Sequence, residues 1–221
     1  MTISRRRLRA MDESKPTPRE LALTDEVKSH RKAGHPIAPL LLNRWSPRAM
    51  TGEPLPESEL MALFEAARWA PSCNNAQPWR FVYARRDTAH WPLFLGLLVE
   101  ANRVWCERAA VLLVVISRKN FEYKEKFNRT HAFDAGAAWE NLALEATRRE
   151  LVVHGMAGFD YDRARSELRV PELFEVMAMV AIGRRGKREE LPPKAAAMEQ
   201  PNDRRPLSEI VHEGPFAAPV A

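Results

Sequence analysis

Cysteine is nearly absent from this 221-residue sequence: Cys73 and Cys106 are the only two, and they lack C-x-x-C spacing. A disulfide-built scaffold is thereby excluded, and a reduced, cytoplasmic protein is expected. Long apolar runs are missing as well. No stretch approaches the roughly 18 residues that a spanning helix needs, so no membrane partner is expected. G-x-G-x-x-G, the Walker P-loop and H-E-x-x-H do not occur, and the histidines fall at no metal-ligand spacing. These absences argue against a Rossmann nucleotide domain and against a metal. Internal repeats and low-complexity segments are also lacking.

What is present has an ordinary globular balance, 45% hydrophobic and 29% charged residues, in a length that suits one domain with a substantial core. The net charge of +5 is concentrated at one end: residues 1–35 carry nine Lys and Arg against five Asp and Glu, leaving the remainder near +1. A broad nucleic-acid surface is therefore not expected. A basic-arm nucleic-acid binder is the competing reading, and it requires salt-sensitive binding through residues 1–35. Arg5, Arg6, Arg7 and Arg9 are reminiscent of a twin-arginine signal, but no apolar stretch of about 7–15 residues follows them. Export is not expected, and Met11 is an alternative start. The sequence divides into a basic arm, residues 1–36, and a domain, residues 37–221. The arm is flexible at first and helical in composition over 18–33, around Leu21, Leu23 and Val27, before Gly34 and Pro36 break it.

Within the domain, residues 37–44 are apolar and helix-like. Leu60, Leu63, Phe64 and Ala67 fall at helical intervals and predict a helix over 57–69 with one buried face. Strands are expected at 79–84, 109–117 and 176–183, the second buried on both faces. Helices are expected at 90–99 and, as the central helix, at 133–149. Mixed helix and strand order indicates an α+β layer architecture.

Three segments carry candidate binding chemistry. Between helix and strand, Ser72, Asn74, Asn75 and Gln77 are crowded between Pro71 and Pro78, which presents short hydrogen-bonding side chains on a constrained backbone. In N-R-W-S-P-R, Arg44, Ser46 and Arg48 could clamp a phosphate through charge-assisted bonds, or merely cap helix carbonyls. In V-V-H-G-M-A-G-F-D, residues 152–160, Gly155 and Gly158 would let backbone approach a planar ring where a Cβ would collide; a plain turn is the alternative.

The string from Ala70 to Trp79 resembles the A-P-S-x-x-N-x-Q-P-W signature of the FMN-dependent nitroreductase family. N-R-W-S-P-R is similar to the family's R-R-S-x-R motif, with Trp45 replacing the second basic residue. N-D-R-R-P-L-S-E-I-V is similar to its closing R-x-P-L-x-E-I-V pattern, with Asn202 where lysine is often found. The likeness spans about residues 42–217. It implies an α+β, nitroreductase-like fold with a central mixed, mainly antiparallel sheet flanked by helices, and a homodimer with FMN at the subunit interface. By resemblance, Arg44, Ser46 and Arg48 bind the FMN phosphate and ribityl chain, and Arg204 and Arg205 return to the phosphate. Pro71, Ser72, Asn75 and Gln77 meet the ring or its pyrimidine edge, while the Ala157 and Gly158 amides face N5 and O4. Glu150 stands where many relatives have glycine. Residues 139–142 are also family-like, but their helical spacing reads as core, and they are left out of the site.

The function implied is an FMN-dependent oxidoreductase that uses NADH or NADPH to reduce a small-molecule acceptor, nitroaromatic, quinone or conjugated carbonyl, by two-electron transfer through flavin N5. No catalytic side chain is assigned, because the flavin carries the chemistry. Two alternatives stay open: a reductive dehalogenase-like branch, and an FMN-binding dimer without turnover, for which the departures at Trp45, Glu150 and Asn202 leave room. Acceptor choice is assigned to residues 117–131, where Phe121, Tyr123 and Phe127 could stack on an aromatic acceptor and Lys124, Lys126 and Arg129 could attract an anion. A solvated helix is the other reading of that segment.

Overall fold

Val111 to Ile116 is an unbroken run of apolar side chains, and successive side chains on a strand point to opposite faces, so both faces of this strand must be covered. The computed structural model, which describes residues 22–123 and 125–216, shows how. Arg5, Arg6, Arg7, Arg9, Leu21 and Lys124 lie outside the described residues. Eight α-helices are described: α1 (Asp25–Lys28), α2 (Pro39–Asn43), α3 (Glu57–Arg68), α4 (Trp91–Gly96), α5 (Glu100–Cys106), α6 (His131–Arg148), α7 (Tyr161–Glu167) and α8 (Pro193–Ala197). Four strands accompany them: β1 (Trp79–Arg85), β2 (Val111–Arg118), β3 (Leu151–Met156) and β4 (Phe174–Arg184).

The sheet order is β1-β2-β4-β3, and every pairing between these strands is antiparallel. Trp79 lies opposite Ser117, Val111 opposite Ile182, and Met156 opposite Met179. On one face, Val111, Leu113 and Val115 of β2 join Val180 and Ile182 of β4 in a core closed by Leu60 and Leu63 of α3 and Ala138 and Leu142 of α6. On the other, Leu112, Val114 and Ile116 join Met179 and Ala181 in a core closed by Phe94 of α4, Trp105 of α5 and Ala164 of α7. The result is a three-layer α+β architecture in which two side-chain sets from one strand build two cores.

The strongly periodic segments fold as expected, with ends shifted by a few residues. Three elements differ. The expected helix over 90–99 stops at Gly96, and Leu98 instead bridges Phe159. Residues 152–160, expected as a loop, begin as β3, because Val152 and Val153 enter opposite cores and the loop proper starts only at Ala157. Residues 117–131 are neither a plain loop nor a solvated helix over their length: Asn120 bridges Phe127 and the Phe121 N–H donates to the Lys126 carbonyl at 2.8 Å, folding the segment back on itself. Of the expected helix at 18–33, the described part is the single turn α1, whose Val27 is fully buried. No described helix is long and apolar enough to cross a membrane.

Glu150 joins α6 to β3 at φ 59°, in the left-handed region. The backbone thus keeps there the conformation that a glycine adopts freely and a Cβ opposes. Glu150→Gly is expected to stabilise the fold by about 1 kcal/mol, read as a higher urea midpoint at unchanged slope.

Candidate active site

Helix α2 ends at Asn43, and the chain leaves it extended at Arg44, at ψ 108°, toward Ser46 and Arg48. Its last carbonyls have no partner within so short a helix. They are met from outside: Arg31 Nη1 donates to the carbonyls of Leu42 and Arg44 at 2.6 and 2.8 Å, and Nε donates to Asn202 O at 2.9 Å.

Farther along, the backbone N–H groups of Arg48 and Ala49 donate to the buried carboxylate of Glu199 at 2.8–3.0 Å. The same carboxylate pairs with Arg185, which also reaches Glu26 at 2.9 Å and lies 5.1 Å from the ring centroid of Trp45. A buried charge held by two amides and a guanidinium fixes the path of the chain, since any slippage would strand it. Trp45, a departure from the family motif, is accounted for by this packing on Arg185. Between the two anchors, His154 Nδ1 of β3 lies 3.1 Å from the carbonyl of Pro47, and its ring packs 4.7 Å from that of Trp105. Burial, and secondarily the charge of Arg48, push the His154 pKa below its ordinary value, so the neutral ring donates Nδ1–H to Pro47.

The segment so held forms one end of a cavity of about 450 Å³. Val115 of β2 and Met177, Ala178 and Val180 of β4 form its sheet side, and α6 faces them with Ala132, Ala135, Gly136 and Trp139. The third wall is the end of β3, Gly155 to Ala157. Polarity is confined to Arg44, Ser46 and Glu140, with Arg44 Nε 3.4 Å from the Glu140 carboxylate. Such a cavity suits a flat, largely apolar ligand with an anionic tail.

Of the expected cofactor residues, Arg44, Ser46 and Ala157 line the cavity. Arg48 does not; its guanidinium turns to the Met198 carbonyl at 3.2 Å. Gly158 is also outside the lining, and its lack of a Cβ serves Asn102, whose Nδ2 donates to Gly158 O at 3.0 Å and would sit 2.5 Å from an added Cβ. Gly155 does line it, but an added Cβ would meet Trp139 at 3.1 Å, so this glycine accommodates the protein's own indole. Arg204 and Arg205 border a second cleft of about 540 Å³ with Lys32, His35 and Leu42. Arg204 is nonetheless close enough to Arg31 for their charges to interact.

Pro71, Ser72, Asn75 and Gln77 are not in the cavity lining of their own chain. Ser72 Oγ accepts from the Gln77 N–H at 3.0 Å, Gln77 Nε2 donates to Asn75 O at 3.2 Å, and Asp134 accepts the Cys73 N–H at 3.1 Å. Asn74, Asn75 and Gln77 all have positive φ, an unusual concentration of left-handed residues in an exposed turn. Phe121 and Tyr123 rings lie 5.5 Å apart, while Phe127 packs edge-on to His131. None of the three borders the cavity, and Tyr123 and Phe127 are 60% and 63% exposed.

Trp139, Glu140 and the small residues of α6 were not expected in the site. Their signal is the i, i+3, i+4, i+7 stripe Ala132, Ala135, Gly136, Trp139, which leaves a hollow beside a large ring. Glu199 and Arg31 had no such signal, because their partners are distant in sequence and, apart from Arg185, are backbone groups.

The model of the nitroreductase family matches residues 41–103 and 95–184. An uncharacterized 15.4 kDa protein of Mycolicibacterium smegmatis is 32% identical over 150 residues, covering 64% of this chain and 99% of that protein. The NADH dehydrogenase of Thermus thermophilus is 29% identical over 175 residues, 64% of this chain and 83% of its own length. Among solved structures, an oxidoreductase containing FMN superposes with a TM-score of 0.81 at 46% identity, covering 85% of this chain and 96% of that one. A nitroreductase family protein from Clostridium difficile 630 shares the fold at 22% identity and a TM-score of 0.62, covering 80% and 97% of the two chains.

The environment of His154 sets a pH dependence. Its folded pKa lies below the ordinary value of about 6.5, so as pH falls past that value the unfolded chain takes up a proton that the folded chain resists. Stability is therefore full above about pH 6.5 and falls on acidification. His131, lowered mainly by burial, acts in the same direction. Thermal midpoints taken at successive pH values below neutrality are expected to fall less steeply for His154→Gln than for the unaltered chain, the remaining slope coming from His131 and acidic groups.

Proposed function

The chain belongs to the nitroreductase family, and from that premise we propose that it is an FMN-dependent oxidoreductase that takes electrons from NADH or NADPH and passes them to a nitroaromatic, quinone or conjugated carbonyl acceptor. The observation that carries this reading is the cavity between α6 and the sheet, apolar along its length and ending at Arg44 and Ser46. An isoalloxazine ring matches the apolar part and a phosphate matches the guanidinium and hydroxyl.

Bound FMN would supply reversible acceptance and donation of two electrons. This chain's residues do the rest. Arg44 and Ser46 hold the phosphate, with Glu140 setting the direction of the Arg44 side chain. Val115, Val180 and Met177 on the sheet would exclude water from a bound ring, and Trp139 would limit the space available to it. Ala157 is in the lining, where its backbone amide would stabilise negative charge on a bound reduced flavin. Glu140 is the one acidic side chain in the lining, and it pairs with Arg44.

The exposed turn at 71–77 completes the proposal. Its polar side chains are not in the lining of the α6 cavity of their own chain, and Trp69 and Phe133 nearby are 71% and 80% exposed. Large apolar side chains left so open favour a covering partner. We assign that role to a second copy, so that Pro71, Ser72, Asn75 and Gln77 of one protomer serve the cavity of the other. In this arrangement residues 37–221 form the flavin domain and residues 22–36 act as its support, while Arg48, Gly158, Arg204 and Arg205, which resemblance assigns to the cofactor, lie outside the cavity lining, the last two beside the neighbouring cleft. Phe121, Tyr123 and Phe127 stand at the acceptor's approach.

Purified protein loaded with FMN and mixed anaerobically with NADH or NADPH is expected to lose its visible flavin absorbance and to regain it on adding p-benzoquinone. Retained absorbance with both nicotinamides would remove the proposed electron donors. Light scattering is expected to give twice the chain mass; a monomer binding FMN normally would remove the role of the turn in trans.

A further inference from the structure

Arg31 lies ahead of the family-matched residues, which begin at 41, yet it is only 8% exposed. Its donors go to three main-chain carbonyls in two segments, Leu42 and Arg44 on one side and Asn202 on the other. The first segment carries Arg44 and Ser46; the second carries Arg204. We infer that Arg31 is a positioning residue for the phosphate end of the site, locking the Arg44–Ser46 segment to the Arg204 segment; this rests on the flavin reading above.

Two physical consequences follow from the contacts. A carbonyl oxygen engaged by Arg31 cannot face an anion, so the guanidinium turns the acceptors at the end of α2 away from a phosphate. It also adds a third positive group. Burial, then the nearby charges of Arg204 and Arg44, lower the Arg31 pKa, with Asp203 as the acidic neighbour that opposes the effect. A phosphate held at Arg44 would offset part of that positive charge. Lysine could not do the same work, because its donors diverge from one nitrogen whereas the planar fork of Arg31 spans two segments.

Arg31 is itself held. Val27 is fully buried, the Thr24 N–H donates to Asn43 Oδ1 at 3.0 Å, and Asn43 Nδ2 donates back to Ala22 O at 2.9 Å. Glu26 extends the attachment to Arg185, and through it to Glu199 and Trp45. The short segment 22–31 is thereby stitched to the chain between Asn43 and Ala49 at several points, and Arg31 is the one that also reaches the C-terminal segment.

Riboflavin is FMN without the phosphate, so the pair separates positioning of the phosphate end from general packing. Dissociation constants for both would be measured by fluorescence quenching on the full-length protein, unaltered and as Arg31→Met and Arg31→Lys. Arg31→Met is expected to weaken FMN about tenfold while riboflavin stays within about twofold, with Arg31→Lys between. Equal weakening of both flavins, or no change in either, would overturn the inference. If Arg31→Met does not fold, the same comparison is made with Arg31→Lys. An unaltered chain that binds neither flavin, or binds both equally, overturns the phosphate site itself, which is a different result from a variant that leaves a normal FMN preference intact.

Discussion

Both faces of β2 and β4 are apolar, and the need to cover both determines the rest of the molecule. Leaving either face in water would forfeit roughly 1.5–3 kcal/mol for each large side chain, far more than the net stability of a domain allows when summed over two strands. Helices α4, α5 and α7 cover one face and α3 and α6 the other. The second cover is incomplete by design of its residues. Where α6 carries Ala132, Ala135 and Gly136 its side chains are small, and a cavity lies beside them, Val115 and Val180.

An apolar hollow needs an oriented polar end before it can select a ligand, and that end is built by long-range contacts. Arg44 and Ser46 lie on a segment without regular structure, yet it is held at Leu42 and Arg44 by Arg31, at Pro47 by His154, and at Arg48 and Ala49 by Glu199. Each anchor uses main-chain groups, so the side chains of Arg44 and Ser46 are left to face the cavity. Trp45 belongs to the same arrangement, since the ring lies against the arginine that holds Glu199.

What could be read in the sequence depended on how local the physics was. Helices α3 and α6 and strands β1, β2 and β4 announce themselves through periodicity. Strand β3 does not, because His154 and Gly155 interrupt its apolar pattern, and the glycine is explained only by an indole from α6. Arg44, Ser46 and Ala157 were legible from their motifs and line the cavity. The α6 lining was not, since small residues at helical spacing look the same whether they touch a core or border a hollow. The polar turn at 71–77 was legible as chemistry but not as place: its left-handed residues keep it exposed, away from its own chain's cavity. Glu199 and Arg31 were invisible, as nothing in a linear pattern marks a charge whose partners are distant in sequence and mostly backbone groups.

Gly136 offers the most direct test that the hollow on α6 is the flavin site. An added Cβ there meets nothing within 4 Å, and leucine favours a helix over glycine, so Gly136→Leu fills the cavity without straining the fold. The measurement is FMN stoichiometry after saturation and desalting, with the thermal midpoint recorded alongside. The account requires FMN bound to the unaltered chain and lost from a folded Gly136→Leu protein. A folded Gly136→Leu protein that retains FMN at the unaltered stoichiometry would contradict it.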